Sequence, residues 1–259
     1  MKLRLLLLLA LAACSDRKAA QPPPASLTAA KPATVLIPKT TKQLVTAVVD
    51  DWTSTKATLR LWGRTETEWK PQGDPWPAVV GHSGSGWGIG VHGTGAPNRE
   101  GPLKKEGDGK SPAGVFKING VYGVAEEPPQ GTKLAYETTA HGDWQCVDDP
   151  GSEHYAEIID RKQVPSDWES AEELLRDDTL YTWVVDVGHN PDRARGKGSC
   201  IFLHVWRDKD STTVGCTAME EPRLAQLIST LDPKAEPLFV LLPRADYAAL
   251  APAWGLPPL

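Results

Sequence analysis

Two runs of the chain, Tyr181-Thr182-Trp183-Val184-Val185-Asp186-Val187 and Cys200-Ile201-Phe202-Leu203-His204-Val205-Trp206, carry β-branched or aromatic residues on both faces. Strands of that kind are covered above and below, so they belong in the middle of a sheet. Further strand-like segments lie between Leu44 and Leu61, from Gly114 to Ile118 and from Leu238 to Leu242. The clearest helix follows Glu220 and Glu221, with Pro222 in its first turn and Leu224, Leu227, Ile228 and Leu231 at helical spacing. A second helix is expected over Ser166 to Leu175, with Ser166 as N-cap. Closely spaced glycines between Gly81 and Gly101 mark turns and close backbone approach. The expected fold class is mainly β, with one or two helices packed on the outside.

The first residues read as an export signal. Lys2 and Arg4 precede an apolar run from Leu5 to Leu11 that is too short to span a bilayer. Leu11-Ala12-Ala13-Cys14 resembles the lipobox of bacterial lipoproteins, in which Cys14 would be acylated and become the mature N-terminus. Ser15, where an aspartate favours inner-membrane retention, points to the outer membrane. The expected organisation is a signal peptide over 1–13, a lipidated Pro/Ala-rich tether over 14–42 and one catalytic domain over 43–259. Gln21-Pro22-Pro23-Pro24 and the Ala/Lys/Pro/Thr mixture after it cannot bury a core. The expected location is the periplasmic side of the cell envelope, held by the lipid.

A formal net charge of −5, with no clustered basic face, argues against nucleic acid as a partner. Ten tryptophans are many for this length, and Trp52, Trp62, Trp69, Trp76 and Trp87 crowd one region. They serve either as packing or as a sugar-stacking platform. Three cysteines remain beyond the anchor: Cys146, Cys200 and Cys216. In an oxidising compartment, Cys146 and Cys200 are either bridged or two buried thiols, and the residues leave both open. No Cys-x-x-Cys supports a redox role. His82, His92 and His141 sit in glycine-rich neighbourhoods without metal-ligand spacing and read as loop residues.

The chemistry concentrates at His204 and Cys216. A thiol is a weak nucleophile until a base removes its proton. A strand ending near His204, a polar turn from Arg207 to Ser211 and a second short strand would form a hairpin that folds the histidine back beside the cysteine. Gly215 permits close backbone approach there, and Thr213 supplies a small polar group.

This segment resembles the catalytic core of the L,D-transpeptidase (YkuD-like) family. Thr213-Val214-Gly215-Cys216 meets the family's Ser/Thr-x-Gly-Cys signature, and Gly198 to Val205 fits a branch with a Gly-Ser-x-Ile-Phe-Leu-His-x strand. Upstream, Gly109-Lys110-Ser111-Pro112-Ala113-Gly114-Val115-Phe116 resembles a second family element, and the likeness runs from about Gly107 to Met219. Two departures stand out: Ala218 occupies the place of a common arginine, and Val214 that of a common histidine. Arg207, Arg193 and Arg195 are candidates for the missing charge.

The resemblance implies a YkuD-like β-sandwich and a cysteine acyltransferase acting on peptidoglycan stem tetrapeptides. Cys216 would form the acyl-enzyme with release of D-alanine, His204 would move the proton, and a backbone amide at Cys216 or near Gly215 would hold the oxyanion. No Asp or Asn stands out to orient the imidazole, which leaves a backbone carbonyl. Thr213, Arg207, His189 and Asn190 are the expected substrate contacts. Asp148, Asp149 and Tyr155 belong to a polar loop read as a solvated turn. The expected partners are stem peptides and the membrane lipid, with no cofactor or metal and a monomeric chain. Use of water as acceptor would make the enzyme a carboxypeptidase. A non-catalytic wall-binding lipoprotein using its tryptophans is the reading from another class.

Overall fold

A computed structural model describes residues 36–66, 68–94 and 100–259. The leader, Cys14 and the tether up to residue 35 lie outside the described residues. Packing begins earlier than the expected boundary at 43. Ile37 is fully buried, and the Leu36 and Ile37 amides donate to the Ala253 and Trp254 carbonyls at 3.3 and 3.0 Å. These two apolar side chains have a core to enter, so residues 36–42 dock on the domain.

The strands open with β1 (Gln43–Val49), β2 (Lys56–Arg64), β3 (Trp69–Pro71), β4 (Trp76–Val79) and β5 (Ser85–Trp87). The short β6 (Ile89–Gly90) and β7 (Gly93–Thr94) precede the long β8 (Ser111–Gly123) and β9 (Tyr136–Thr138). Then come β10 (Trp144–Val147), β11 (Ile158–Asp160), β12 (Ala171–Glu173), β13 (Val184–Gly188), β14 (Phe202–Val205) and β15 (Thr217–Met219). Helix α1 (Glu221–Thr230), β16 (Leu238–Pro243) and α2 (Arg244–Trp254) complete the chain.

The main sheet runs β1-β16-β8-β13-β14-β15-β4-β2, and β2 pairs again with β1, so the sheet closes on itself. Its apolar interior holds Leu44, Leu59, Val115, Phe116, Leu203 and Val240, each fully buried. The fold is mainly β, as expected of a YkuD-like sandwich, with two α-helices among the described residues. In α1, Leu224, Leu227 and Ile228 turn inward at the expected spacing. Helix α2 has no counterpart in the sequence reading, because Pro252 interrupts it and its apolar pattern is weak. Among the described residues, no helix is long and apolar enough to cross a membrane.

Two expectations need correction. Residues 166–175 form no helix, because their polar groups pair with residues 148–153 instead. Asp167 accepts from Ser152 Oγ and the Glu153 amide at 2.5 and 2.8 Å, and the Glu169 amide donates to Asp149 at 2.9 Å. The segment continues into β12, which pairs with β10 at one edge of a separate three-stranded sheet, with β11 at the other edge. Nor do β14 and β15 form a hairpin: they are parallel neighbours. The connection first runs out alongside residues 80–82, where Thr213 exchanges backbone bonds with Val80 and His82, and only then returns.

The tryptophans belong to packing rather than to a sugar platform. Trp62, Trp76 and Trp87 are buried, and Trp52 and Trp69 pack on the same core. Trp62 Nε1 donates to Thr46 Oγ1 at 2.9 Å and Trp76 Nε1 to Met219 Sδ at 3.3 Å. His92 sits in the β6–β7 turn, as expected of a loop residue, but packs inward against Trp87, Phe116 and Trp254, accepting from the Val115 amide.

Candidate active site

Strand β14 is buried along its length, and its alternation divides two environments. Leu203 and Val205 enter the main core. Phe202 joins a smaller cluster with Cys146, Leu174, Tyr181, Val184 and Cys216, and the His204 ring meets Tyr181 edge-on at 5.2 Å. On the neighbouring strand Ala218 stands opposite His204. His204 and Cys216 open onto one cleft of about 220 Å³, lined also by Glu172, Arg176, Tyr181, Arg207, Thr213 and Ala218.

His204 Nδ1 lies 2.7 Å from the Val205 carbonyl. A carbonyl only accepts, so Nδ1 carries the proton and Nε2 keeps its lone pair. The orienting group is thus a backbone carbonyl. Burial brings the histidine pKa down to about 4 and pushes the Cys216 thiol well up, with Glu172 adding to the latter. The resting pair is therefore a neutral imidazole and a neutral thiol, rather than an imidazolium–thiolate pair. Two backbone groups hold the sulfur: the Phe202 amide donates to Sγ at 3.3 Å, and Sγ donates to the Cys200 carbonyl at 3.5 Å.

The turn before Cys216 is fixed from below. Thr213 Oγ1 donates to the Cys216 carbonyl at 2.6 Å and accepts from the Gly215 amide at 3.2 Å. Ser111 Oγ donates to the same carbonyl at 2.8 Å and accepts from the Gly81 amide at 2.9 Å. The upstream Gly-Lys-Ser-Pro element therefore seats the nucleophile turn. Gly81 has to be glycine here, since a Cβ would lie 2.3 Å from the Gly109 carbonyl oxygen. Gly215 has φ +156°, a left-handed region that suits glycine. Its amide is taken by Thr213, whereas among the described residues none receives a hydrogen bond from the Cys216 amide.

The other expected site residues separate. Thr213 lines the cleft, and its hydroxyl shapes the turn. Arg207 reaches the cleft, largely exposed and 3.9 Å from Asp178. His189 and Asn190 do not line it: they border a larger cavity of about 690 Å³ whose wall includes Cys146 and Cys200. His189 donates to the Lys197 carbonyl at 3.0 Å, and Asn190 binds the Ala194 and Gly198 carbonyls and the Ala194 amide. Their polar groups thus hold the loop between β13 and β14. Arg193 pairs with Glu157 and Arg195 with the Pro150 and Gly151 carbonyls, both outside the cleft lining. Of the polar loop, Tyr155 is buried and bonds Glu106 and the Gly198 amide, while Asp148 accepts from Ser170.

Three residues that sequence reasoning missed complete the cleft. Arg176 grips Asp178 through two hydrogen bonds of 2.9 and 2.7 Å, with its guanidinium 5.0 Å from the centre of the Tyr181 ring. The Tyr181 hydroxyl donates to Glu172. Arg176 and Glu172 sit in charged runs that look solvated, and Tyr181 in an apolar one, so the sequence carries no signal for them. A disulfide joins Cys146 to Cys200 with Cα atoms 5.8 Å apart, leaving Cys216 free and buried. It ties the three-stranded sheet to the entrance of β14.

Comparison with known proteins bears on this arrangement. The chain is similar to the helical cell shape determining protein Pgp2 from Campylobacter jejuni, at 14% identity and a TM-score of 0.34. The likeness covers 77% of this chain but 47% of that one, so the chain spans about half the length of Pgp2. No curated protein matches it. Residues 101–240 match the L,D-transpeptidase catalytic domain, YkuD, and include the nucleophile turn, the histidine strand and the upstream element. With more than half of its length in that match, the chain belongs to the YkuD family of L,D-transpeptidase catalytic domains.

Proposed function

We propose that the protein is a cysteine acyltransferase acting on the tetrapeptide stems of peptidoglycan. The observation that carries this reading is that His204 on β14 and Cys216, at the turn leading into the neighbouring parallel strand β15, face one cleft, with the imidazole tautomer set by Val205. The Cys216 Sγ proton passes to His204 Nε2 as the sulfur attacks the carbonyl carbon before the terminal D-alanine. The developing oxyanion lies at the Cys216 amide. Collapse breaks the C–N bond, and the departing amine takes the proton from His204, leaving a thioester. Arg176 and Arg207 supply positive charge for the D-alanine carboxylate, in place of the arginine that Ala218 lacks. An amine from a second stem then gives a cross-link, whereas water gives a tripeptide.

We further propose an envelope lipoprotein, anchored at Cys14 and extended by the Pro/Ala-rich segment. The packing of the five clustered tryptophans on the core, three of them buried, weakens the support for a non-catalytic wall-binding protein. Intact-protein mass spectrometry with a purified disaccharide-tetrapeptide tests the enzyme reading. A transient acyl adduct with D-alanine release, absent from Cys216→Ala, is the expected result. Folded protein with a free Cys216 thiol and neither adduct nor turnover would overturn it.

A further inference from the structure

Two cavities flank Cys216. One is the histidine cleft; the other, of about 240 Å³, is lined by His82, Lys104, Glu106, Ser199 and Gly215 among others. Glu172, Val214 and Cys216 line both. A cross-linking enzyme has to bring two chains together at its sulfur, and Glu172 is the carboxyl group at that meeting point. We propose that Glu172 binds the ammonium group of the acceptor and takes its first proton, making it the residue that favours an amine over water. The inference rests on the acyltransferase reading and names the acceptor class of the same site: a primary amine beside a carboxylate, as at an amino-acid centre.

Several observations converge on this role. Glu172 lies on β12 opposite Cys146, and the Cys146–Cys200 bridge holds that strand next to the carbonyl that contacts the Cys216 sulfur. Among the described residues, Tyr181 alone hydrogen-bonds the Glu172 carboxyl, and no ion pair reaches it. Arg176, one of the two arginines of the cleft, is already matched by Asp178 in a two-point contact. A half-buried carboxyl that forms no ion pair, at a substrate cavity, is a place where a ligand's positive charge is welcome. Arg176 and Arg207 on the same wall suit the neighbouring carboxylate of such an acceptor.

The electrostatics also set an order of events. Burial and Asp148 raise the Glu172 pKa, against the lowering influence of Tyr181 and Arg176, so the neutral form is accessible. Negative charge at Glu172 opposes a Cys216 thiolate, which favours the neutral acid during attack on the donor. Once the sulfur is a neutral thioester, that opposition is gone and the carboxylate can receive an ammonium. The acceptor then loses one proton to Glu172, and its nitrogen attacks the thioester carbon. The C–N bond forms as the C–S bond breaks, and the second proton passes through His204 to the Cys216 sulfur. Ammonium and carboxylate become neutral amide, thiol and carboxylic acid, so charge and protons balance.

The test compares wild type, Glu172→Gln, Glu172→Asp and Tyr181→Phe with the tetrapeptide donor and added D-methionine, an amine different from the leaving group, as the acceptor. D-alanine release measures acylation, and the ratio of D-methionine-ended tetrapeptide to tripeptide measures partition of the thioester. Glu172→Gln should lose on the order of a hundredfold more in aminolysis than in acylation, the scale of general-base assistance. Glu172→Asp should recover part of the ratio, and Tyr181→Phe should shift it in the same direction as Glu172→Gln. Equal losses in both steps, or a ratio that does not change in folded variants, overturns the inference. A wild type that acylates and only hydrolyses also overturns it, while a wild type that never acylates overturns the acyltransferase reading beneath it.

Discussion

His204 gives its Nδ1 proton to the carbonyl of its own neighbour, Val205, at 2.7 Å, so the ring is steered by the strand that carries it. Nδ1 is held by a backbone carbonyl and not by a carboxylate, and burial lowers the pKa to about 4, with Asp178 opposing the shift only weakly. The base form is complete at neutral pH. The acid limb of kcat/KM should therefore centre near 4, with no inflection at the 6.5 of an ordinary histidine. A limb at 6.5 in a pH series would contradict this electrostatic picture.

The same shift affects stability. His204 and His189 both fall to about 4 in the folded chain, against 6.5 in the unfolded one. Between these values the unfolded state binds more protons, so acid favours unfolding. The stability is complete above 6.5 and is lost as pH falls through 4, by on the order of 3 kcal/mol for each group. Denaturant titrations at pH 7 and pH 5 check the direction.

Reduction of Cys146–Cys200 should cost about 2–4 kcal/mol, by releasing a cross-link that constrains the unfolded chain. It should also slow acylation, because Cys200 and Phe202 hold the sulfur. A Cys146→Ser/Cys200→Ser double variant compared with oxidised wild type, by thermal unfolding and by D-alanine release, separates the two effects.

Thr213→Val removes the hydroxyl that bonds both the Cys216 carbonyl and the Gly215 amide. The expected loss is about 1–3 kcal/mol from the groups left unpaired, together with slower acylation. Thr213→Ser keeps the hydroxyl and should retain most of both. Equal behaviour of the two variants would mean that the methyl, and not the hydroxyl, matters.

Arg176→Ala should raise KM by on the order of tenfold for a tetrapeptide with a free terminal carboxylate, and much less for one ending in an amide. Arg195→Ala, whose side chain binds the Pro150 and Gly151 carbonyls, should leave both donors alike. Steady-state kinetics on the two donors is the check.

Cys216, His204 and the central strands were legible in the sequence because each depends on short-range pattern: two-faced apolar runs and a compact signature. The parallel relation of β14 to β15 was not, since it depends on Thr213 finding residues 80–82, far away in the chain. The expected helix over 166–175 failed for a related reason: Asp167 and Glu169 bond the 148–153 segment instead of their own helix. Glu172 and Arg176 became visible only when that segment folded over the cleft. His189 and Asn190 sit next to a central strand, but β13 delivers them to the other cavity.

The closure of the main sheet has a mechanical consequence. Strand β1 follows the N-terminal segment and is gripped along its length by β16 on one side and β2 on the other. A pull on the N-terminus along the strand must shear two ladders at once instead of unzipping one from its end. A chain held by that end would bear the load on its most embedded strand, far along the sheet from the His204 and Cys216 strands.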